Sequence, residues 1–198
     1  MLTSKQHNFI YYPIPKSGST SIIQVLESSY NATAYDPGWE EHHKSIPDRY
    51  AIRTVPKEFE SAIKFTVCRN PYDRAVSIWW HLVISPLAYR YKYLKQYGNC
   101  LKDFEYFLGW LKPRIKTVDR IGWLASHYIR GIQLDKIIKL CDLDIEFKKL
   151  KFYTGIPAVF PKCNVSIGKN RAKHLNVKTR KLIVEIFAKD FETFGYPK

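Results

Sequence analysis

Two short segments carry residue types suited to holding phosphate. The first is Pro15-Lys16-Ser17-Gly18-Ser19-Thr20-Ser21. Gly18 lets backbone come close to a ligand, and Ser17, Ser19, Thr20 and Ser21 offer hydroxyl donors. Lys16 adds a full positive charge at the loop entrance, where it can stabilise charge developing on a leaving phosphate oxygen. This is not a Walker A loop: GxxxxGK[ST] places lysine after the second glycine, whereas here it precedes the only one. The second segment is Arg69-Asn70-Pro71-Tyr72-Asp73-Arg74, followed by Ser77. An arginine fork and a serine hydroxyl can share one phosphate. Each segment also has a plainer reading, as a strand-to-helix turn with an exposed lysine and as an Arg69–Asp73 pair.

The elements around them favour the phosphate reading. Phe9 to Ile14 is a buried-strand pattern, and Ile22, Ile23, Leu26 and Tyr30 then repeat at helical spacing. A loop between strand and helix aims its amides, and the unpaired first-turn N–H groups, at one spot. Ile63 to Cys68 repeats the logic: Asn70 suits an N-cap, Pro71 the first helical position, and Ala75, Val76, Trp79, Leu82 and Val83 an apolar face. Both segments therefore sit at the carboxyl end of a strand, the ligand edge of an open α/β sheet. Two anion sites imply a ligand with two anionic ends, such as a nucleotide with a 5′ phosphoanhydride and a ribose phosphate.

Further along, Leu101, Phe104, Leu108 and Leu111 mark a helix, Lys136 to Leu140 a short strand, and residues 144–153 another helix. A last helix begins near Val177 or Thr179 with Leu182, Ile183, Ile186 and Phe187 as its face, and Phe191 and Phe194 pack back on the core. Alternating strands and helices predict an α/β fold with a short parallel β-sheet flanked by helices, in a single domain over residues 1–198.

With 32 Lys plus Arg against 18 Asp plus Glu, the net charge of +14 predicts an anionic partner. Nucleic acid, anionic lipid, acidic polysaccharide and a phosphate-rich cofactor all qualify. A nucleic-acid-binding module is permitted by that charge, but no RRM, KH or zinc pattern is present. A P-loop nucleotide kinase lacks its GK[ST] and a Mg²⁺-holding aspartate at a strand end. No apolar run approaches the ~18 residues of a membrane span. Met1 to Asn8 is polar and no signal peptide is evident, so the expected location is cytoplasmic. Cys68, Cys100, Cys141 and Cys163 are widely spaced without a CxxC, which predicts reduced thiols and no metal site.

The first segment resembles the 5′-phosphosulfate loop of sulfotransferases that use 3′-phosphoadenosine-5′-phosphosulfate (PAPS). Phe65-Thr66-Val67-Cys68-Arg69-Asn70-Pro71-Tyr72-Asp73-Arg74-Ala75-Val76-Ser77 is similar to their 3′-phosphate motif. Asp190 to Tyr196 is similar to the ending of carbohydrate sulfotransferases, and Cys163-Asn164-Val165-Ser166 to the Asn-x-Ser before their last helix. The resemblance spans residues 9–196. It implies a P-loop-like domain, PAPS as donor, 3′-phosphoadenosine 5′-phosphate (PAP) as product, no required metal, and a hydroxyl-bearing acceptor, expected to be a glycan. Lys16 would contact the bridging oxygen of the donor, and Ser17, Gly18, Ser19, Thr20 and Ser21 would cradle its 5′ phosphosulfate. Arg69 and Ser77 would hold the 3′ phosphate, and Lys169 and Arg171 would close over the nucleotide. The base would come from Glu40-Glu41-His42-His43-Lys44-Ser45, with His43 the first candidate and His42 its competitor.

Overall fold

The structure, a computed structural model, describes residues 1–34, 55–84, 100–115, 124–150, 152–153, 160 and 172–198. Along the chain the elements are β1 (Leu2–Ser4), β2 (Phe9–Tyr11), α1 (Ser19–Tyr30), β3 (Thr33–Ala34), β4 (Ile63–Cys68), α2 (Pro71–Trp79) and α3 (Phe104–Leu111). Then follow α4 (Ala125–Tyr128), β5 (Lys136–Lys139), α5 (Leu143–Phe147), α6 (Val177–Ile186) and α7 (Ala188–Phe194). They fall into two compact units, Met1–Arg69 with His127–Cys163, and Asn70–Ser126 with Asn164–Lys198.

The first unit holds the sheet, in the order β3-β1-β2-β4-β5. β2, β4 and β5 run parallel, with Tyr11 opposite Phe65 and Val67 opposite Ile138. The two-residue period of β2 divides its side chains between the faces. Phe9 and Tyr11 pack with Phe65, Val67, Ile138 and the Ile22, Val25, Leu26 and Tyr30 stripe of α1. Ile10 and Tyr12 pack on Met1, Phe59 and Ala62. On the α1 side the rings interlock: Phe152 lies 4.3 Å from Phe9 and 5.5 Å from Phe65 between centroids. α1 closes on Asn31 in the left-handed conformation, whose amide donates to the Leu26 carbonyl.

Four sequence expectations change in detail. The polar run Met1 to Asn8 contains β1, which pairs antiparallel with both β2 and β3, so the parallel core carries an antiparallel extension. β2 ends at Tyr11 rather than Ile14, because Pro13 and Pro15 have no N–H for the ladder. The helix expected over 144–153 is the five-residue α5, after which Leu150 and Phe152 turn inward. Their burial outweighs the helix propensity of Lys148 and Lys149 before them. The last helix is two, broken at Phe187 (φ −107°, ψ 22°).

The second unit is helical. Asn70 caps α2 as expected, its side chain accepting from the Tyr72 amide at 3.0 Å, with Pro71 in the first turn. α2 passes into a π-helical turn, Trp80–Ile84. Its Ala75, Val76, Ile78 and Trp79 pack with Phe104, Phe107, Leu108 and Leu111 of α3 and with Ile183, Ile186, Phe187 and Phe191. Inside the unit lies an ion pair. Arg74 and Asp190 are each 1% exposed, with Nη1 to Oδ2 at 3.6 Å. The Asp190 carboxylate also accepts from the amides of Ala125 (2.8 Å) and Ser126 (2.9 Å) and from the Ser126 hydroxyl (2.8 Å).

Removing one partner of such a pair leaves a buried, uncompensated charge. Asp190→Ala is expected to lower stability by about 3–5 kcal/mol, read as a drop in the urea midpoint. A loss under about 1 kcal/mol, the scale of a surface pair, would contradict this reading.

Candidate functional site

The first of the two segments is built where β2 runs out. Pro13 and Pro15 end the ladder, and Tyr12 makes the last link by donating its amide to the Phe65 carbonyl at 2.9 Å. The chain then turns twice through left-handed backbone, at Lys16 (φ 67°) and at Gly18 (φ 78°). The Ser17 amide closes the turn onto the Ile14 carbonyl at 3.2 Å. For lysine the left-handed conformation costs about 1 kcal/mol or more and persists only where the surroundings impose it. Gly18 is the N-cap of α1 and has no side chain to cap it. The first-turn amides of Ser19 and Thr20 are thus presented to an outside acceptor, at the positive end of the helix dipole.

Two neighbours hold this loop. Arg69, the first residue past β4, donates from Nη1 to the Lys16 carbonyl at 3.2 Å. Leu140, the first residue past β5, packs on Gly18, where a Cβ would come within 2.9 Å of the leucine Cδ1. Gly18 is therefore favoured by its φ, and a Cβ there would have to displace the end of the Leu140 side chain. Leu140 was not singled out from sequence; its signal is that it ends a strand at the ligand edge of the sheet. β5 is itself tied to α5 by Glu146, whose carboxyl lies 2.8 Å from Lys136 and 2.6 Å from Lys149. The two ammonium groups hold that carboxyl down at about 2.

The loop side chains differ in setting. Lys16 and Ser19 are half-buried, Thr20 is exposed and Ser21 is buried. Ser17 is fully buried, and among the described residues its Oγ has no hydrogen-bond partner. A buried hydroxyl left unpaired costs about 1–3 kcal/mol, which an anion at the loop would recover. The Tyr12 hydroxyl is likewise buried and without a partner among the described residues, and burial pushes its pKa up.

The structure thus brings Lys16, Ser17, Gly18, Ser19, Thr20 and Arg69 together around one turn. Ser77 is half-buried on α2 in the second unit. His42, His43, Lys169 and Arg171 lie outside the described residues, as do Cys163 to Ser166. Among the described residues no group of three or more His, Cys, Asp or Glu side chains could hold a metal ion. Cys68 is a buried thiol, and Cys100 and Cys141 are exposed thiols. No described helix is long and apolar enough to cross a membrane.

A family model described as the sulfotransferase family matches residues 1–197. No curated protein and no solved structure matches the chain.

The loop geometry makes Gly18→Ala a double fault. It is expected to cost about 1–2 kcal/mol from the left-handed backbone alone, with further loss from the contact with Leu140. Adding Leu140→Ala should return the steric part and leave the backbone part. Melting curves for the two single variants and the pair check this through the coupling energy. Strictly additive losses would show that Gly18 and Leu140 do not meet.

Proposed function

This chain belongs to the sulfotransferase family, and we propose that it transfers a sulfuryl group from PAPS to an acceptor hydroxyl, on a glycan. The observation that carries the donor assignment is the buried, unpartnered Ser17 Oγ beneath a left-handed turn at the N-terminus of α1. That arrangement suits a tetrahedral anion, and a Cβ at Gly18 would meet the Leu140 side chain. Ser17 donates to the 5′ phosphosulfate, and the amides of Ser19 and Thr20 complete the cradle. Arg69 and Ser77 hold the 3′ phosphate, with Lys169 and Arg171 closing over the nucleotide. We propose that residues 1–198 act as one catalytic domain.

In the transfer, the donor's S–O bond to its 5′ phosphate breaks and a bond forms from sulfur to the acceptor oxygen. Lys16 stabilises the negative charge that develops on the bridging oxygen as it leaves with PAP. The acceptor proton passes to His43, or to His42 if the loop is shifted by one residue. No step needs a metal. The net charge of +14 suits an acceptor that is itself anionic, such as an acidic polysaccharide. A labelled-donor assay against glycans, lipids and small phenols tests the assignment, and transfer to phenols alone would overturn the glycan part.

Three outcomes follow for the purified protein. PAP should raise the melting temperature well above any effect of ATP, since two separated phosphates differ from a triphosphate. Equal shifts would refute the donor. Lys16→Ala should lower turnover by at least ~10²-fold while PAP affinity falls much less; full turnover would remove Lys16 from the chemistry. One of His43→Ala and His42→Ala should lose roughly 10²–10⁴-fold in turnover with donor binding intact. A histidine base must be unprotonated, so wild-type activity should fall as acid protonates it. If both histidine variants keep full turnover, the base is elsewhere, with Glu41 or Glu40 next.

A further inference from the structure

We propose that Arg69, beyond holding the 3′ phosphate, is a positioning residue for the 5′ end of the donor. Its guanidinium fixes the Lys16 peptide in the left-handed turn, so one side chain sets both anion sites. The inference rests on the donor reading above and deepens it.

Parallel pairing makes this possible. Phe9, Ile10 and Tyr11 lie opposite Ile63, Lys64 and Phe65, and the Tyr12 amide extends the match to the Phe65 carbonyl. The chain leaving β2 and the chain leaving β4 therefore emerge side by side. Arg69 is half-buried there, and its Nη1 donates to the Lys16 carbonyl at 3.2 Å. That carbonyl belongs to the only non-glycine residue of the Lys16–Gly18 turn with positive φ. A peptide rotated out of this conformation would swing the carbonyl away from Arg69 and take the Ser17 amide off Ile14. The bond thus selects the loop shape that buries Ser17 and aims the first turn of α1 outward. A guanidinium carries five N–H donors in a fixed fork, so a bond to Lys16 is compatible with a fork on phosphate. Phosphate at Arg69 would also restrict the guanidinium and stiffen the Lys16 peptide, linking occupancy of one site to order at the other.

The test uses adenosine 5′-phosphosulfate, a donor without the 3′ phosphate. A residue that only binds the 3′ phosphate has nothing to lose with this donor. Arg69→Met removes every donor group at similar length, and Arg69→Lys keeps one. With the truncated donor, Arg69→Met is expected to lose at least ~10-fold in kcat, the scale of one charge-assisted hydrogen bond. Arg69→Lys should recover a large part of that loss. Equal turnover of wild type and Arg69→Met on the truncated donor, with a defect only on PAPS, would overturn the proposal. A second readout needs no donor. Amide hydrogen exchange at Ser17 in the unliganded protein should quicken by ~10-fold or more in Arg69→Met and less in Arg69→Lys. Unchanged exchange at Ser17 would overturn the proposal even if transfer suffers. If wild type uses neither donor, the donor reading fails while the exchange result still decides the role of Arg69.

Discussion

The candidate site depends on the parallel pairing of β2 with β4. Parallel strands end on the same edge, so whatever follows β2 must lie beside whatever follows β4. Here that places a left-handed turn next to an arginine, and the arginine bonds the turn. β5 adds the third support in the same way, since its own carboxyl end delivers Leu140 onto Gly18. None of the three contacts is local in sequence. All follow from strand direction and register, which the apolar packing of Phe9, Tyr11, Phe65, Val67 and Ile138 over α1 enforces. A slip of one residue in any strand would exchange its faces and dismantle the turn.

The second unit shows a different use of a motif. Arg74 and Asp190 both fall in segments whose pattern resembles cofactor-binding enzymes, yet both are buried on each other. Asp190 accepts three further hydrogen bonds from Ala125 and Ser126, so its charge is compensated by oriented donors as well as by Arg74. Part of each segment is therefore packing chemistry. Ion pairs of this kind contribute little net stability over apolar residues, but losing one member is costly. Their presence ties α2 to α7 and to the start of α4 in one register.

Much of this could be read directly from residues. β4 and the Asn70 cap of α2 fall where the apolar run Ile63 to Cys68 and the Asn-Pro step place them. The stripe of α1 is also legible, because Ile22, Leu26 and Tyr30 keep helical spacing. β1 was hidden because Leu2 is its one strongly apolar residue, and a three-residue strand has too little period to detect. The shortening of α5 was hidden for another reason. Phe147, Leu150 and Phe152 suit a helix locally, and only the aromatic cluster on Phe9 and Phe65 shows why the chain leaves it. At the site, the loop residues and Arg69 were legible by type. Their bond to each other, the left-handed Lys16 and the role of Leu140 were not, since each depends on strand neighbours distant in sequence.

On the proposed function, Lys16 to Thr20 form a turn already shaped for a 5′ phosphate before any ligand arrives. The most direct measurement is a crystal structure with PAP bound, set beside the unliganded loop. A 5′-phosphate oxygen is expected at hydrogen-bond distance, about 2.7–3.2 Å, from the Ser17 Oγ and the Ser19 or Thr20 amide. Lys16 and Gly18 should keep positive φ and Arg69 its bond to the Lys16 carbonyl. A nucleotide bound away from this turn, or a turn that must rebuild its backbone to receive the phosphate, would contradict it.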